Sequence, residues 1–195
     1  MNKAVTRFEN EIAEFYGSKY AVATDSCTHA IELCLIYEKI KKITIPSRTY
    51  ISIPFLAKKL NLQLGWSTKK WFEYYFIENT NIIDAAVLWR EKSYLPGTYM
   101  CLSFQYQKHL SLGRGGMILL DNEKAALDLK KLSYDGREPN KPWREQNITS
   151  MGYHYYMTPE TALEGLQKLP QAKERTPKVW EWNDWPDLRS MDVFK

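Results

Sequence analysis

Residues 20–28 read YAVATDSCT, a short apolar run followed at once by residues that favour the start of a helix. Small and apolar side chains ahead of a polar cluster predict a buried strand, and Asp25 and Ser26 are typical helix caps. Apolar residues at helical spacing then follow over residues 28–41. A strand that runs directly into a helix opens a βαβ unit, so this stretch indicates an α/β fold.

The same alternation continues on both sides of this stretch. The pattern predicts helices over residues 3–16, 51–60, 122–132 and 158–168, and strands over 43–45, 62–65, 81–84, 99–104 and 117–120. Residues 66–80 are crowded with aromatic side chains and receive no assignment, and residues 133–152 are predicted as loop. We therefore expect an α/β fold with a mostly parallel sheet flanked by helices, which binds ligands at the carboxyl ends of its strands.

Composition excludes several classes of protein. With 195 residues, 44% of them hydrophobic, the chain can bury a core and is not disordered. A net charge of +4 with short, scattered lysine pairs does not indicate a nucleic-acid partner. No apolar run approaches the ~20 residues of a membrane helix. The three cysteines and three histidines lack metal-ligand spacing, so we expect no metal and a reduced, cytoplasmic chain.

The end of the chain differs from the rest in composition. Residues 170–195 contain three prolines and three tryptophans, and no helical or strand period runs through them. We expect one domain over residues 1–169, with residues 170–195 as a tail that packs on the surface or at a dimer interface.

Three strand ends carry polar residues, and each has two interpretations. The start of the helix after residue 24 is either a simple cap or a phosphate site made by free N–H groups and hydroxyls. Asp84 either caps the next segment or holds a proton on a ring nitrogen of a ligand. Lys108 is either an exposed loop lysine or, with a depressed pKa, the amine of a Schiff base.

The order of these three features favours one cofactor. A phosphate site, a strand-end carboxylate and a loop lysine are the anchor, ring partner and amine that pyridoxal phosphate needs. Cys27 is better explained as a small residue at a helix start than as a nucleophile. The run Gly113–Gly116 opens a strand rather than a helix, so it is not a dinucleotide fingerprint.

Over residues 8–168 the chain resembles the DegT/DnrJ type of nucleotide-sugar aminotransferase, which has the fold type I architecture of pyridoxal phosphate enzymes. The resemblance is carried, in chain order, by Phe8-Glu9 to Tyr16-Gly17, Lys19 to Thr24, Ser26-Cys27-Thr28-His29-Ala30, Ile45 to Tyr50, Asp84-Ala85-Ala86, Ser103-Phe104 to Lys108, Gly113 to Met117, and Gly152 to Thr158. It implies a reduced large domain of that fold, without the smaller C-terminal domain of the family.

The resemblance also implies roles for individual residues. Lys108 would form the internal aldimine and move protons, and Asp84 would pair with the pyridine nitrogen. Tyr50 would lie over the cofactor ring. The implied cofactor-binding set is Ser26, Cys27, Thr28, Tyr50, Asp84, Ser103, Lys108 and His154.

Partners follow from the same resemblance. The chain would form a homodimer with shared active sites, in which His154 approaches the phosphate bound by the neighbouring subunit. The substrates would be a small-molecule amino donor and a keto acceptor. Arg48 and Arg114 are candidates to bind the donor carboxylate, because a planar guanidinium grips a carboxylate with two hydrogen bonds.

Some positions depart from the family pattern. Val87 stands where a glutamine is usual, Tyr156 where an arginine is usual, and Arg114 where an acidic residue is frequent. Only 16 residues separate Gly65 from Ile82, which leaves little room for a further strand-and-helix unit. We expect an aminotransferase for a sugar-like or small keto substrate. The alternatives are a catalytically reduced cofactor-binding or interaction protein and a decarboxylase or racemase with the same cofactor.

Overall fold

The computed structural model describes residues 3–139 and 141–195. Its elements, in chain order, are α1 (Lys3–Tyr16), β1 (Tyr20–Thr24), α2 (Cys27–Tyr37), β2 (Lys42–Pro46), α3 (Ser52–Lys59), β3 (Gln63–Ser67), β4 (Tyr75–Phe76), β5 (Ile82–Asp84), β6 (Tyr99–Ser103), β7 (Gly116–Leu120), α4 (Glu123–Ser133) and α5 (Pro159–Glu174). Single turns of 3-10 helix lie at Trp143–Glu145, Trp182–Asp184, Leu188–Ser190 and Asp192–Phe194.

The main sheet has five strands in the order β1-β7-β6-β5-β4. Strand β7 runs antiparallel to both β1 and β6, while β5 runs parallel to β6. Strands β1, β5 and β6 therefore point in one direction, and their carboxyl ends lie at the same edge. Thr24, Asp84 and Ser103 are the last residues of these three strands.

The expected α/β class is confirmed, but the expected parallel character of the sheet is wrong. Among the described strands of the main sheet, one pairing is parallel and three are antiparallel. Two of the three antiparallel pairings follow from the connections: residues 104–115, between β6 and β7, and residues 77–81, between β4 and β5, contain no helix that could carry the chain back to a parallel start. Strands β2 and β3 form a separate parallel pair.

Each face of the sheet is covered by its own core. Helices α1 and α5 contribute Phe8, Ile12 and Leu169 to one core, which meets Met100 and Leu102 of β6. The other core joins α2, α3 and α4 to the opposite face, with Ile31, Leu56, Leu129, Cys101 and Ile118 among its members. Successive residues of β6 thus point to opposite faces, as a strand buried on both sides requires.

Two helices end elsewhere than the pattern predicts. Helix α2 stops at Tyr37 because Lys39 takes a left-handed conformation, with φ of 53°. Helix α5 continues through Pro170 to Glu174, since its apolar residues, Leu169 and Ala172, are buried in the core that includes α1. The expected domain limit at residues 169 and 170 therefore falls inside α5, and the chain leaves the helix at Arg175.

Within residues 3–139 and 141–195, no helix is long and apolar enough to cross a membrane. The same residues contain no group of three or more His, Cys, Asp or Glu side chains arranged to hold a metal ion.

Candidate active site

The amino end of α2 forms one wall of a cavity at the edge where the strands end. Ser26 caps the helix, and its hydroxyl accepts a hydrogen bond from the His29 N–H at 3.2 Å. The Thr28 hydroxyl lies 2.7 Å from the hydroxyl of Ser52, at the start of α3. Ser26 therefore acts as the cap that its sequence position predicts. The first N–H groups of a helix have no partner within it, and they make its amino end suitable for an anion.

This helix start lies directly against the sheet. A Cβ atom placed on Gly116 would lie 2.3 Å from the Ser26 carbonyl carbon and 2.4 Å from the Cys27 nitrogen. Only glycine allows so close an approach between the first residue of β7 and the amino end of α2. The sequence pattern places Gly116 before a strand, but this backbone contact is visible only in the fold.

Asp84 lies at the end of β5 and is 6% exposed. One carboxylate oxygen accepts a hydrogen bond from the Tyr75 hydroxyl at 2.7 Å, and the other accepts one from the Ala86 N–H at 3.0 Å. Burial raises the pKa of the Asp84 carboxyl above its usual value, while Tyr75, Ala86 and the charge of Lys108 oppose the rise. The bond to Ala86 is a local cap, and the bond to Tyr75 fixes the orientation of the carboxylate.

Lys108 follows β6, and its amine lies beside a pair of tryptophan rings whose centres are 6.0 Å apart. Its Nζ atom is 5.8 Å from the ring centre of Trp180 and 5.8 Å from that of Trp185. Burial lowers the pKa of the Lys108 ammonium, although the charges of Asp84 and Cys27 act in the opposite direction. Burial also raises the pKa of the Cys27 thiol well above its ordinary value, so this thiol is a weak nucleophile.

These walls enclose a cavity of about 380 Å³, which we call the strand-end cavity. Eight of the ten site residues predicted from sequence line it, namely Ser26, Cys27, Thr28, Tyr50, Asp84, Ser103, Lys108 and Arg114. Val87 is also on its wall. The fold therefore brings together predicted site residues that are up to 88 positions apart in sequence, from Ser26 to Arg114.

The two remaining predicted residues, Arg48 and His154, do not line the strand-end cavity. The Arg48 guanidinium donates a hydrogen bond to the Trp185 carbonyl at 2.6 Å and lies 5.0 Å from the ring centre of Trp182. His154 is 71% exposed, and its Nδ1 atom lies 3.2 Å from the Asp135 carboxylate. Arg48 is thus engaged with the chain end, and His154 faces solvent.

Arg114 lines the cavity but is already paired. Its guanidinium donates a hydrogen bond of 2.8 Å to the Asp25 carboxylate, whose other oxygen lies 2.6 Å from the His29 ring. The acidic partner of Arg114 therefore belongs to the same loop that begins α2.

Sequence reasoning missed three aromatic residues of the strand-end cavity. Tyr75 and Trp71 belong to the stretch 66–80 that received no assignment, and Trp185 belongs to the tail. The Tyr75 hydroxyl lies 2.6 Å from the Thr49 hydroxyl as well as bonding Asp84. The cluster of aromatic residues shortly before Asp84 was the available signal. No helical or strand periodicity runs through this cluster, so the sequence did not indicate which of its side chains would reach the site.

The sequence model of the DegT/DnrJ/EryC1/StrS aminotransferase family matches residues 1–63 and 95–179 of this chain. The chain belongs to this family. The unmatched interval, residues 64–94, contains β4, β5 and most of β3. Asp84 falls in this interval, so its position rests on the geometry described above rather than on the family match.

Relatives and solved structures agree with this assignment. The chain is 24% identical to GDP-perosamine synthase from Caulobacter vibrioides in an alignment 219 residues long, which covers 89% of this chain and 58% of the relative. Its fold matches that of AtS13 from Actinomadura melliaura with a TM-score of 0.77 at 18% identity, covering 90% of this chain and 61% of the other. Spr1654 from Streptococcus pneumoniae, described as a sugar aminotransferase and solved in its PLP form, matches with a TM-score of 0.74 at 14% identity, covering 89% and 60%.

The chain thus spans about three fifths of the length of these family members.

Proposed function

We propose that this chain is a pyridoxal-phosphate-dependent aminotransferase that acts on a sugar-like or small keto substrate. The observation that carries the proposal is the strand-end cavity, in which a buried carboxylate, an amine with a lowered pKa and a helix amino end lie together. GDP-perosamine synthase and the PLP form of Spr1654 are the relatives that support the cofactor and the reaction class.

The residues present fit the cofactor. The cavity of about 380 Å³ lies within the range of ~300–1,000 Å³ of small-molecule sites. The close contact at Gly116 leaves the start of α2 at the cavity wall, where its N–H groups and the Thr28 hydroxyl suit a phosphate. The buried Nε1 of Trp185 has no hydrogen-bond partner among the described residues, and an unpaired buried donor favours a ligand that brings an acceptor.

Asp84 would hold the ring nitrogen. Each of its oxygens accepts one hydrogen bond within the chain and keeps a further lone pair. Tyr75 holds the carboxylate in one orientation, so no reorganisation is needed when a cationic N–H approaches. When bound, pyridoxal phosphate supplies a protonated ring that withdraws electrons from the reacting carbon.

Lys108 would hold the cofactor covalently through Nζ and carry the proton of the reaction. Because its pKa is lowered by burial, a larger fraction of the amine is neutral and nucleophilic near neutral pH. Tyr50, half exposed at the cavity mouth, would cover one face of the ring, and Ser103 would assist at the phosphate.

The finer predictions on partners become part of this proposal. We propose a homodimer, in which the exposed His154 of one subunit reaches the strand-end cavity of the other. Arg114 would contact the substrate at the cavity wall. The three cysteines of the described chain are free and buried, which suits a reducing compartment, and we propose the cytoplasm.

The test is a covalent map of the cofactor. The full chain is incubated with pyridoxal phosphate, reduced with borohydride and digested, and the modified peptide is identified by mass spectrometry. We expect the cofactor on Lys108. Lys108→Ala should lose the adduct, whereas Lys124→Ala, which removes an exposed lysine of α4, should retain it.

A second measurement separates catalysis from binding. Glutamate should shift the absorbance of the bound cofactor, and a keto compound should reverse the shift. An adduct on another lysine, or none, contradicts the proposal. A bound cofactor whose spectrum responds to no amino acid would favour the cofactor-binding protein instead.

A further inference from the structure

A second cavity of about 180 Å³ lies on the other side of Lys108 from the start of α2. It shares Ala86, Val87, Ser103, Gln107 and Lys108 with the strand-end cavity, so these residues form the partition between the two. Any group bound in the second cavity therefore lies next to the amine of Lys108.

The second cavity has an unbalanced charge. Lys108, Arg175 and Lys178 line it, and none of the lining residues that the structure describes is acidic. Within the described chain these three cations form no ion pair. Uncompensated cations in a concave site concentrate anions, because field lines are focused between walls of low dielectric.

Both exposed cations are held in place by their surroundings. The Arg175 guanidinium donates a hydrogen bond to the His109 carbonyl at 2.8 Å, which leaves its other N–H groups available. Lys178 Nζ lies 3.6 Å from the ring centre of Trp180. The two side chains are therefore partly ordered before a ligand binds, which reduces the entropy cost of binding.

The size of the second cavity restricts its ligand. A volume of about 180 Å³ is below the ~300–1,000 Å³ typical of small-molecule sites, so a nucleotide sugar does not fit. Apolar side chains, among them Leu88, Leu102 and Leu110, form the rest of the wall. This combination suits a small acid with a short aliphatic chain.

We propose that the second cavity binds the amino donor of the reaction, a small amino acid whose carboxylate is held by Arg175 and Lys178. The inference rests on the proposed function and adds the class of donor and the residues that recognise it. Arg114 is paired with the Asp25 carboxylate and Arg48 lines neither cavity, whereas the two cations of the second cavity have no acidic partner in its wall. A guanidinium and an ammonium together provide enough donors for a carboxylate.

The experiment uses glutarate, which has the length of glutamate but no amino or keto group that could react. The full chain, without added cofactor, is titrated and followed by ligand-detected NMR at low salt. We expect binding to weaken about tenfold in Arg175→Gln and in Lys178→Gln, because each removes one hydrogen bond to a charged group. Lys41→Gln and Arg144→Gln remove exposed cations outside both cavities and should leave the affinity unchanged.

Two further arms identify the ligand. Lys178→Gln should leave the affinities for inorganic phosphate and for pyridoxal phosphate unchanged, because the proposed phosphate site is at the start of α2 and Lys178 does not line that cavity. A loss of phosphate or cofactor affinity in Lys178→Gln that parallels the loss for glutarate would show that the second cavity holds a phosphate, and would overturn the proposal. Unchanged glutarate affinity in a variant that combines Arg175→Gln and Lys178→Gln would overturn it as well.

Folding and function are checked separately. If Arg175→Gln fails to fold, the affinity of Lys178→Gln for glutarate decides the outcome. We expect this second variant to fold, because the Lys178 amine makes no hydrogen bond within the described chain. In the loaded enzyme, Lys178→Gln should raise KM for glutamate about tenfold with little change in kcat. If the adduct on Lys108 forms but glutarate does not bind, this inference alone fails. If glutarate binds as expected but no adduct forms, the proposed function fails.

Discussion

Two regions of the chain meet at Lys108, and they are built in different ways. The strand-end wall, which comprises residues 24–28, 84 and 103–108, is continuous with the sheet and is fixed by the pairing of β1, β7 and β6. The C-terminal segment, residues 175–195, has single 3-10 turns and two isolated β-bridges, at Glu181 and Asp187. It joins the rest through separate contacts, such as the Leu188 N–H that donates to the Ser47 carbonyl at 2.8 Å.

The difference separates two tasks. Groups that must stay oriented, such as the Asp84 carboxylate, belong to the strand-end wall, where burial and backbone pairing hold them. Trp180, Trp185 and the cations Arg175 and Lys178 belong to the C-terminal segment, which is joined to the rest by single hydrogen bonds and ring contacts and not by a strand ladder. We therefore expect it to open at a lower free energy than the sheet. Lys108 is the residue whose environment depends on both regions.

The largest effect is expected at the strand-end wall. Asp84→Asn keeps an acceptor for the Tyr75 hydroxyl but removes the negative charge, so turnover between glutamate and a keto acid should fall by about 10²–10³-fold. Steady-state kinetics measures the loss, and urea unfolding should show a much smaller change in the free energy of unfolding. Equal losses of activity and stability would mean that Asp84 is a structural cap.

The next effect concerns the contact between β7 and α2. Gly116→Ala would place a Cβ atom 2.3 Å from backbone that cannot rotate away, and should lower the free energy of unfolding by about 3 kcal/mol. Gly113→Ala is the matched control, because its Cβ meets nothing within 4 Å and only the φ of +73° is strained, at about 1 kcal/mol. Urea unfolding compares the two. Similar losses would show that the contact between sheet and helix is loose.

A smaller, local effect is expected in the C-terminal segment. Arg48→Met removes the hydrogen bond to the Trp185 carbonyl and the contact with Trp182, and should destabilise the segment by about 1–2 kcal/mol. Hydrogen exchange should accelerate over residues 180–188 and stay unchanged in β6. Arg144→Met, which removes an arginine stacked on Trp143 at 4.8 Å, is the control. Faster exchange throughout the sheet would show that the two regions unfold as one.

The smallest effect is a gain in stability when Lys108, where the two regions meet, is replaced. The pKa of Lys108 is lower in the folded chain than in the unfolded chain, so the unfolded chain binds the proton more firmly and the lysine costs stability at neutral pH. Without cofactor, Lys108→Met should therefore be more stable at pH 7, and the gain should shrink as the pH rises towards the ordinary lysine pKa of 10.5. Lys124→Met should show no such gain. A gain that is independent of pH would point to packing instead of charge.

Much of the fold follows from local patterns. The cap at Ser26, the strand before it and the buried strand that ends in Asp84 lie where their patterns predict. The crowded residues 66–80 could not be assigned, because the short strand β4 is defined by its pairing with β5 rather than by a period of its own. The relative direction of neighbouring strands could not be predicted from the pattern either, since an apolar run has the same composition whether it pairs in parallel or antiparallel.

The sequence by itself determined the chemical groups of the site and their order along the chain, because residue type and local spacing are properties of neighbouring residues. It also determined the family. Only the tertiary structure decided that Tyr75 would orient Asp84, that Arg48 would bind the chain end, and that Arg175 and Lys178 would share a cavity with Lys108. These contacts join residues far apart in sequence, and packing of the two layers on the sheet brings them within reach.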